Sequence, residues 1–147
     1  MADVKTILAF GDSLTWGAVP GPRTRHDFND RWPNTLAGEL GIGYRVIEEG
    51  MNGRTTVFPD PTATPERNGS VALPILLMSH QPLDLVIIML GTNDIKYANR
   101  CRAFDSRLGM ARLIEIVNKY SFLPEYKTPQ ILIMSPPALV PTTDEFF

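Results

Sequence analysis

A nearly all-apolar run over residues 83–90 constrains the fold of this chain more than any other feature. Its length suits a strand, and its lack of polar alternation is typical of a parallel strand buried on both faces of a sheet. Shorter apolar runs predict three further strands, over residues 6–10, 44–48 and 131–134. Parallel strands need long crossovers, so we expect helices between them.

Helical patterns do lie between the predicted strands. Trp32, Leu36 and Leu40 recur every four residues, which predicts a first long helix, and residues 70–79 predict a second. Residues 104–120 predict a third, which Asp105 or Ser106 would cap. This alternation predicts an α/β fold, a three-layer, flavodoxin-like doubly wound parallel sheet. With no repeat and no linker, we expect a single domain over residues 1–147.

The charge pattern excludes several classes of partner. Lys and Arg total 14 against 16 Asp and Glu, for a net charge of −2, and the basic residues are scattered. We therefore expect neither a nucleic-acid partner nor a membrane surface. No apolar run approaches the about 20 residues that span a bilayer, and residues 1–10 carry no signal-peptide pattern. These features predict a cytoplasmic protein.

The chain contains one cysteine, Cys101, so it cannot form an internal disulfide. We expect a small, half-buried side chain there. The alternative is a cysteine nucleophile whose pKa is lowered by the neighbouring Arg100 and Arg102.

Polar clusters follow three of the predicted strands, over residues 11–17, 50–54 and 91–94. In a parallel sheet all three would meet at the carboxyl edge, where α/β folds bind ligands. Ser13 in the first cluster could present a hydroxyl, Gly53 in the second a close backbone N–H, and Asn93 in the third a carboxamide. Preorganised neutral donors around a nucleophile form an oxyanion hole.

These clusters resemble the SGNH, or GDSL, hydrolase family, named for its functional Ser, Gly, Asn and His. Ser13 lies in Gly-Asp-Ser-Leu, Gly53 in Met-Asn-Gly-Arg, and Asn93 in Gly-Thr-Asn-Asp. Residues 48–56 and 83–94 further resemble the intracellular arylesterase/acyltransferase subgroup. The resemblance implies the SGNH hydrolase fold and a serine carboxylic ester hydrolase. Ser13 would be the nucleophile, Gly53 and Asn93 would bind the oxyanion, and no metal or other cofactor would be needed.

The subgroup resemblance also implies substrates and assembly. It implies an arylesterase or acetylesterase for short-chain acyl esters, including sugar acetates, with acyltransferase capability. It implies a homo-oligomer, with residues 58–69 as a candidate interface. A thioesterase or lysophospholipase on the same fold is the alternative within the enzyme class. The alternative from another class is a non-catalytic flavodoxin-like binding module or an inactive fragment.

Four further residues near the motifs have expected roles. Asp12 and Asp94 would fix loops by accepting backbone hydrogen bonds. Trp16 would either wall an apolar acyl pocket or pack in the core. We expect Arg54 to be solvated or at an interface, with substrate orientation as the alternative.

The base that a serine nucleophile needs is not evident in the sequence. The chain has two histidines, His26 and His80, and no Asp-x-x-His pattern. His80 precedes the third predicted strand by a few residues, so we expect it about 26 Å from Asn93, at the amino edge. His26 lies in a loop before Asp27, but it does not match the family pattern. The resemblance implies a catalytic Asp and His beyond Phe147, and we expect a second, C-terminal fragment of the same protein to carry them.

Overall fold

The computed structural model describes residues 4–21, 24–120 and 123–138. Four strands form one parallel sheet: β1 is Lys5–Gly11, β2 is Tyr44–Gly50, β3 is Leu85–Met89 and β4 is Gln130–Ile133. Their order across the sheet is β2-β1-β3-β4. The predicted α/β class, with its doubly wound parallel sheet, is therefore confirmed.

The helices join these strands as the alternation predicts. They are α1 at Ser13–Trp16, α2 at Trp32–Leu40, α3 at Gly69–His80 and α4 at Ala103–Lys119, with short 3₁₀ turns at Phe28–Asp30 and Tyr97–Asn99. The cap of α4 differs from the prediction, because Arg102 occupies the cap position. Asp105 is the third residue of α4, and its carboxylate accepts a hydrogen bond of 2.8 Å from the Arg102 N–H.

Strand β3 is shorter than its apolar run, with five residues where eight were predicted. Leu83 and Leu90 lie outside the strand, yet they are buried to 5% and 3% exposure. Their apolar character therefore reflects burial in the core without strand pairing. Both faces of β3 are covered, since Val86, Ile87 and Ile88 are all buried, as expected for a parallel strand.

The main core lies between the sheet and the pair α3 and α4. Alternate residues of β1 and β3 point to this face, and both helices contribute fully buried leucines. The buried members with no exposed surface are Leu8, Phe10, Leu73, Leu77, Val86, Ile88, Leu113 and Val117. This packing holds the strand ends, and the loops that follow them, in fixed relative positions.

The strand order creates a switch point between β1 and β3. The chain leaves β1 to form β2 on one side and then crosses to form β3 on the other. Gly11, the last residue of β1, pairs with both Gly50 and Met89, so the three strands end level with one another. Ligands of doubly wound sheets bind at this place, and all three polar clusters start here.

Candidate active site

Ser13 begins α1 directly after β1. The preceding residue, Asp12, caps this helix by accepting a hydrogen bond of 3.0 Å from the Leu14 N–H to Oδ1. Ser13 itself is half-buried at the surface of the site. A serine at such a strand-to-helix turn combines an accessible hydroxyl with a fixed backbone, which suits a nucleophile.

The Asn93 carboxamide links the loops that follow β1, β2 and β3. Its Nδ2 donates to Asp12 Oδ2 at 3.2 Å and to the Arg54 backbone oxygen at 3.1 Å. Asp12 precedes Ser13, and Arg54 follows Gly53. The three clusters that the sequence predicted to converge therefore lie together around one buried amide.

Both N–H groups of the Asn93 carboxamide thus have acceptors in this structure. A carboxamide nitrogen carries only two hydrogens, so a substrate oxyanion would compete with one of these acceptors. Asn99 secures the same residue from the other side, because its Nδ2 donates to the Asn93 backbone oxygen at 2.8 Å. Asn93 is held in place before any substrate binds.

Asp12 is a buried carboxyl, at 1% exposure. Burial raises its pKa from 3.8 to about 6, although the Leu14 N–H and the charges of Lys96 and Arg54 act to lower it. Above this pKa the carboxylate is ionised and accepts from both Leu14 and Asn93. Asp12 therefore orients Asn93 as well as holding its own loop.

Asp94 ties the loop after β3 to the segment after β2. Its Oδ1 accepts from the Thr56 N–H at 2.8 Å, and its Oδ2 accepts from Thr56 Oγ1 at 2.7 Å. Both residues have no exposed surface. Such contacts suit the loop-fixing role expected for Asp94, and no motif in the sequence pointed to Thr56 as its partner.

Arg54 is neither solvated nor at the surface, which corrects the expectation from the sequence. It is 5% exposed, its guanidinium lies 4.4 Å from the centre of the Phe10 ring, and Nη1 donates to the backbone oxygens of Gly11, at 3.0 Å, and Glu49. The buried side chain thus bonds backbone oxygens at the ends of both β1 and β2 and ties these two strand ends together. Burial lowers the Arg54 pKa to about 10, so it stays a cation at neutral pH.

Gly53 lies in a turn where the Arg54 N–H donates to the Met51 oxygen at 3.1 Å. Its φ of +77° falls in the left-handed region, which favours glycine at the third position of such a turn. This conformation agrees with a residue whose backbone, rather than a side chain, faces the site. The sequence predicted Gly53 from its motif, but the structure adds a neighbour that no motif predicts, Arg67.

Trp16 closes α1 and is half-buried. The Arg25 guanidinium lies 4.7 Å from the centre of the indole ring, and Arg25 Nε donates to the Trp16 backbone oxygen at 2.7 Å. Glu48 holds Arg25 in turn by accepting from its Nη2. One face of the ring therefore contacts a cation, so an apolar acyl pocket could use the other face only.

Among the residues that the structure describes, neither histidine has a hydrogen bond to Ser13. His26 is exposed, and its backbone N–H donates to the Gly17 oxygen at 2.8 Å. His80 Nε2 lies 2.9 Å from Glu49 Oε1. Glu49 is the residue before the last of β2, so His80 is paired with a carboxylate of that strand. His80 is also the last residue of α3, and β3 begins five residues later, at Leu85.

Cys101 does not have the environment of a reactive thiol. It is half-buried, and its Sγ lies 3.1 Å from the Asn99 backbone oxygen. Burial raises the pKa of the thiol, and the charges of Asp105 and Asp94 raise it further. These effects oppose thiolate formation, whereas the sequence alternative relied on neighbouring arginines to favour it.

Within residues 4–21, 24–120 and 123–138, no three His, Cys, Asp or Glu side chains are grouped so that they could hold a metal ion. In the same part of the chain, no helix combines the length and apolar character needed to cross a membrane.

Comparison with known proteins places this geometry in a family. The GDSL-like Lipase/Acylhydrolase family matches residues 9–145. A carbohydrate acetylesterase family member from Sinorhizobium meliloti is 43% identical, with a TM-score of 0.94, over 98% of this chain and 70% of that one. The inhibitor-bound aryl esterase of M. smegmatis is 46% identical, with a TM-score of 0.89, over 94% of this chain and 66% of that one.

A more distant structure agrees. AlinE4, an SGNH-hydrolase family esterase, is 28% identical with a TM-score of 0.66, over 93% of this chain and 63% of its own. Among curated proteins no sequence match was found. The chain thus spans about two thirds of the length of these solved structures. The family match and the esterase neighbours support a carboxylic ester hydrolase with the SGNH fold, as the sequence predicted. This chain belongs to the GDSL-like lipase/acylhydrolase family.

Proposed function

We propose that this chain carries the nucleophile and oxyanion hole of a serine carboxylic ester hydrolase. Ser13 Oγ attacks the ester carbonyl carbon as a base takes the hydroxyl proton. The tetrahedral intermediate collapses, the alcohol leaves with that proton, and Ser13 keeps the acyl group. Water then releases the acid by the same two steps. The observation that carries this proposal is the Asn93 carboxamide, which joins the Ser13 and Gly53 turns at one point.

The proposed oxyanion hole has three donors: the Ser13 N–H, the Gly53 N–H and the Asn93 side chain. All three belong to loops at the carboxyl ends of β1, β2 and β3, which end level in the sheet. Two contacts hold these loops in place: the Arg54 guanidinium donates to the Gly11 backbone oxygen, and the Asp12 carboxylate accepts from Asn93. Donors that are held in fixed positions stabilise developing charge, and Asn93 would exchange one of its present acceptors for the oxyanion.

We further propose that the base is a histidine oriented by an aspartate outside these 147 residues, on a C-terminal fragment of the same protein. A serine hydroxyl is a weak nucleophile without such a partner. The contacts of His26 and His80 support a base from elsewhere, since His80 is paired with Glu49 and His26 is exposed. The greater length of the similar structures is also consistent with it.

The proposed substrates are short-chain acyl esters, including aryl and sugar acetates, with acyl transfer to alcohols as a second outcome. The acetylesterase and aryl esterase neighbours support this choice. A kcat/KM profile over acyl chain length would favour acetyl esters, whereas a preference for long acyl chains or thioesters would indicate the alternative enzyme class. A cytoplasmic homo-oligomer with residues 58–69 at its interface remains part of the proposal, to be tested by light scattering.

The direct test of the nucleophile is Ser13→Ala in the intact protein, with p-nitrophenyl acetate as substrate. Turnover should fall to the background rate, because the variant lacks the hydroxyl that forms the acyl-enzyme. Ser79→Ala is the matched control, since Ser79 is exposed on α3 and its hydroxyl donates to the Ile75 backbone oxygen of the same helix. Undiminished turnover by the Ser13 variant would overturn the proposal.

A further inference from the structure

The Arg67 guanidinium occupies the space beside the Gly53 Cα. A Cβ added to Gly53 would lie 1.5 Å from Arg67 Nη1 and 2.7 Å from its Cζ. Any side chain at position 53 would therefore displace Arg67. Glycine is needed here for two independent reasons: the φ of +77° and the close approach of a cation.

Arg67 contacts the very peptide group that holds the proposed oxyanion donor. Its Nη1 donates to the Asn52 backbone oxygen. The Asn52 C=O and the Gly53 N–H belong to one planar peptide unit, so a bond to the oxygen also fixes the direction of the N–H. A charged donor on the oxygen polarises the peptide and makes its N–H a stronger donor.

The Arg67 side chain is positioned by its own backbone. The Arg67 carbonyl accepts from the Thr55 N–H at 3.0 Å and from Thr55 Oγ1 at 3.2 Å, and Thr55 is buried. Arg67 Nε is buried and has no hydrogen-bond partner among the residues that the structure describes. The Thr55 contacts thus fix the Arg67 backbone, and the bond to the Asn52 oxygen fixes one end of its guanidinium.

We propose that Arg67 is a positioning residue for the oxyanion hole, acting through the Asn52–Gly53 peptide. It aims the Gly53 N–H and strengthens it as the ester carbonyl becomes an oxyanion. The positive charge beside Gly53 stabilises the same intermediate. This inference rests on the proposed function, because it assigns a role within that hole.

The test compares Arg67→Met with Arg67→Lys in the intact protein. Arg67→Met should lower kcat for p-nitrophenyl acetate by about 10-fold with little change in KM, less than the about 100-fold cost of losing a whole donor. Arg67→Lys, which keeps the charge, should recover part of the loss. Arg112→Met is the control, because Arg112 is an exposed cation on α4 that bonds Glu115, and its kcat should not change.

A second measurement separates positioning from a loss of folded enzyme. A trifluoromethyl ketone forms an oxyanion adduct with a serine nucleophile, so its Ki should rise about as much as kcat/KM falls. A smaller folded fraction would lower kcat and leave Ki unchanged, and that result would overturn the inference, as would unchanged kcat. If Arg67→Met is normal while Ser13→Ala is inactive, only this inference fails. If Ser13→Ala retains turnover, the proposed function itself fails.

Discussion

Ionisation of Asp12 has opposite effects on the proposed site and on the stability of the fold. Its carboxylate is needed to accept from Leu14 and Asn93, but burial opposes its ionisation and raises its pKa to about 6. A carboxyl whose folded pKa exceeds its unfolded value binds protons more tightly in the fold. Folding is therefore favoured by acid at this one site, the reverse of the usual salt-bridged carboxylate.

This linkage predicts the pH dependence of an Asp12→Asn variant. Below pH 3.8 Asp12 is neutral in both states, and above about pH 6 it is ionised in both, with the full cost of burial. The free energy of unfolding of the wild type, relative to that of Asp12→Asn, should therefore rise by about 2 kcal/mol when the pH is lowered from about 7.5 to about 4.5. Urea unfolding of both proteins at the two pH values measures this difference. A difference that is independent of pH would contradict the raised pKa.

Single residues differed in how far the sequence could predict them. Ser13 and Asn93 were found because their motifs follow apolar strands, and the structure brings their loops together. Arg54 and Arg67 could not be assigned, since each bonds backbone carbonyls that are distant in sequence or left free by a turn. Which carbonyls lie within reach of these side chains depends on the tertiary arrangement of strand ends and turns. A local sequence pattern does not predict that arrangement.

At the scale of elements, α4 packs unusually close to the segment that follows β2. A Cβ on Gly109 would lie 2.0 Å from Thr56 Oγ1, the hydroxyl that donates to Asp94. Gly109→Ala should therefore lose the stabilisation expected of the substitution and destabilise the protein by up to about 2 kcal/mol, because overpacking costs about 1–3 kcal/mol and the helix-propensity gain offsets about 1 kcal/mol of that cost.

Gly38 provides the control for this prediction. It also lies within a helix, α2, but a Cβ there meets no atom within 4 Å. Gly38→Ala should thus show the propensity gain alone and raise the free energy of unfolding by up to about 1 kcal/mol. Denaturant unfolding of both variants tests the pair, and an equal gain at both positions would rule out close packing at Gly109.

The periodicity of apolar residues predicted where the helices and strands lie along the chain. It did not predict the exact residues at which they begin and end. The helix predicted over residues 104–120 is Ala103–Lys119, and the second strand extends to Gly50 where residue 48 was expected. Glu48 and Glu49, near the end of β2, are polar, and their side chains pair with Arg25, Arg31 and His80. The strand continues past residue 48 because Glu49 and Gly50 pair with Phe10 and Gly11 of β1.

At the scale of the whole molecule, the alternation of strands and helices was sufficient to predict the parallel sheet and its carboxyl-edge site. The alternation did not predict the order β2-β1-β3-β4, which sets the switch point next to Ser13. Within the part of the chain that the structure describes, His80 is paired with Glu49 and His26 is exposed, which supports a base from another part of the protein. The proposed mechanism therefore divides the catalytic groups between this chain and the rest of the protein.

Covalent labelling with a fluorophosphonate tests the Ser13 mechanism most directly. The intact protein should gain one phosphonyl adduct, mapped by mass spectrometry to the peptide that contains Ser13, and lose esterase activity in proportion. Only an activated serine reacts in this way, so the Ser13→Ala protein should remain unlabelled. An adduct on another residue, or full inactivation with Ser13 unmodified, would contradict Ser13 as the nucleophile.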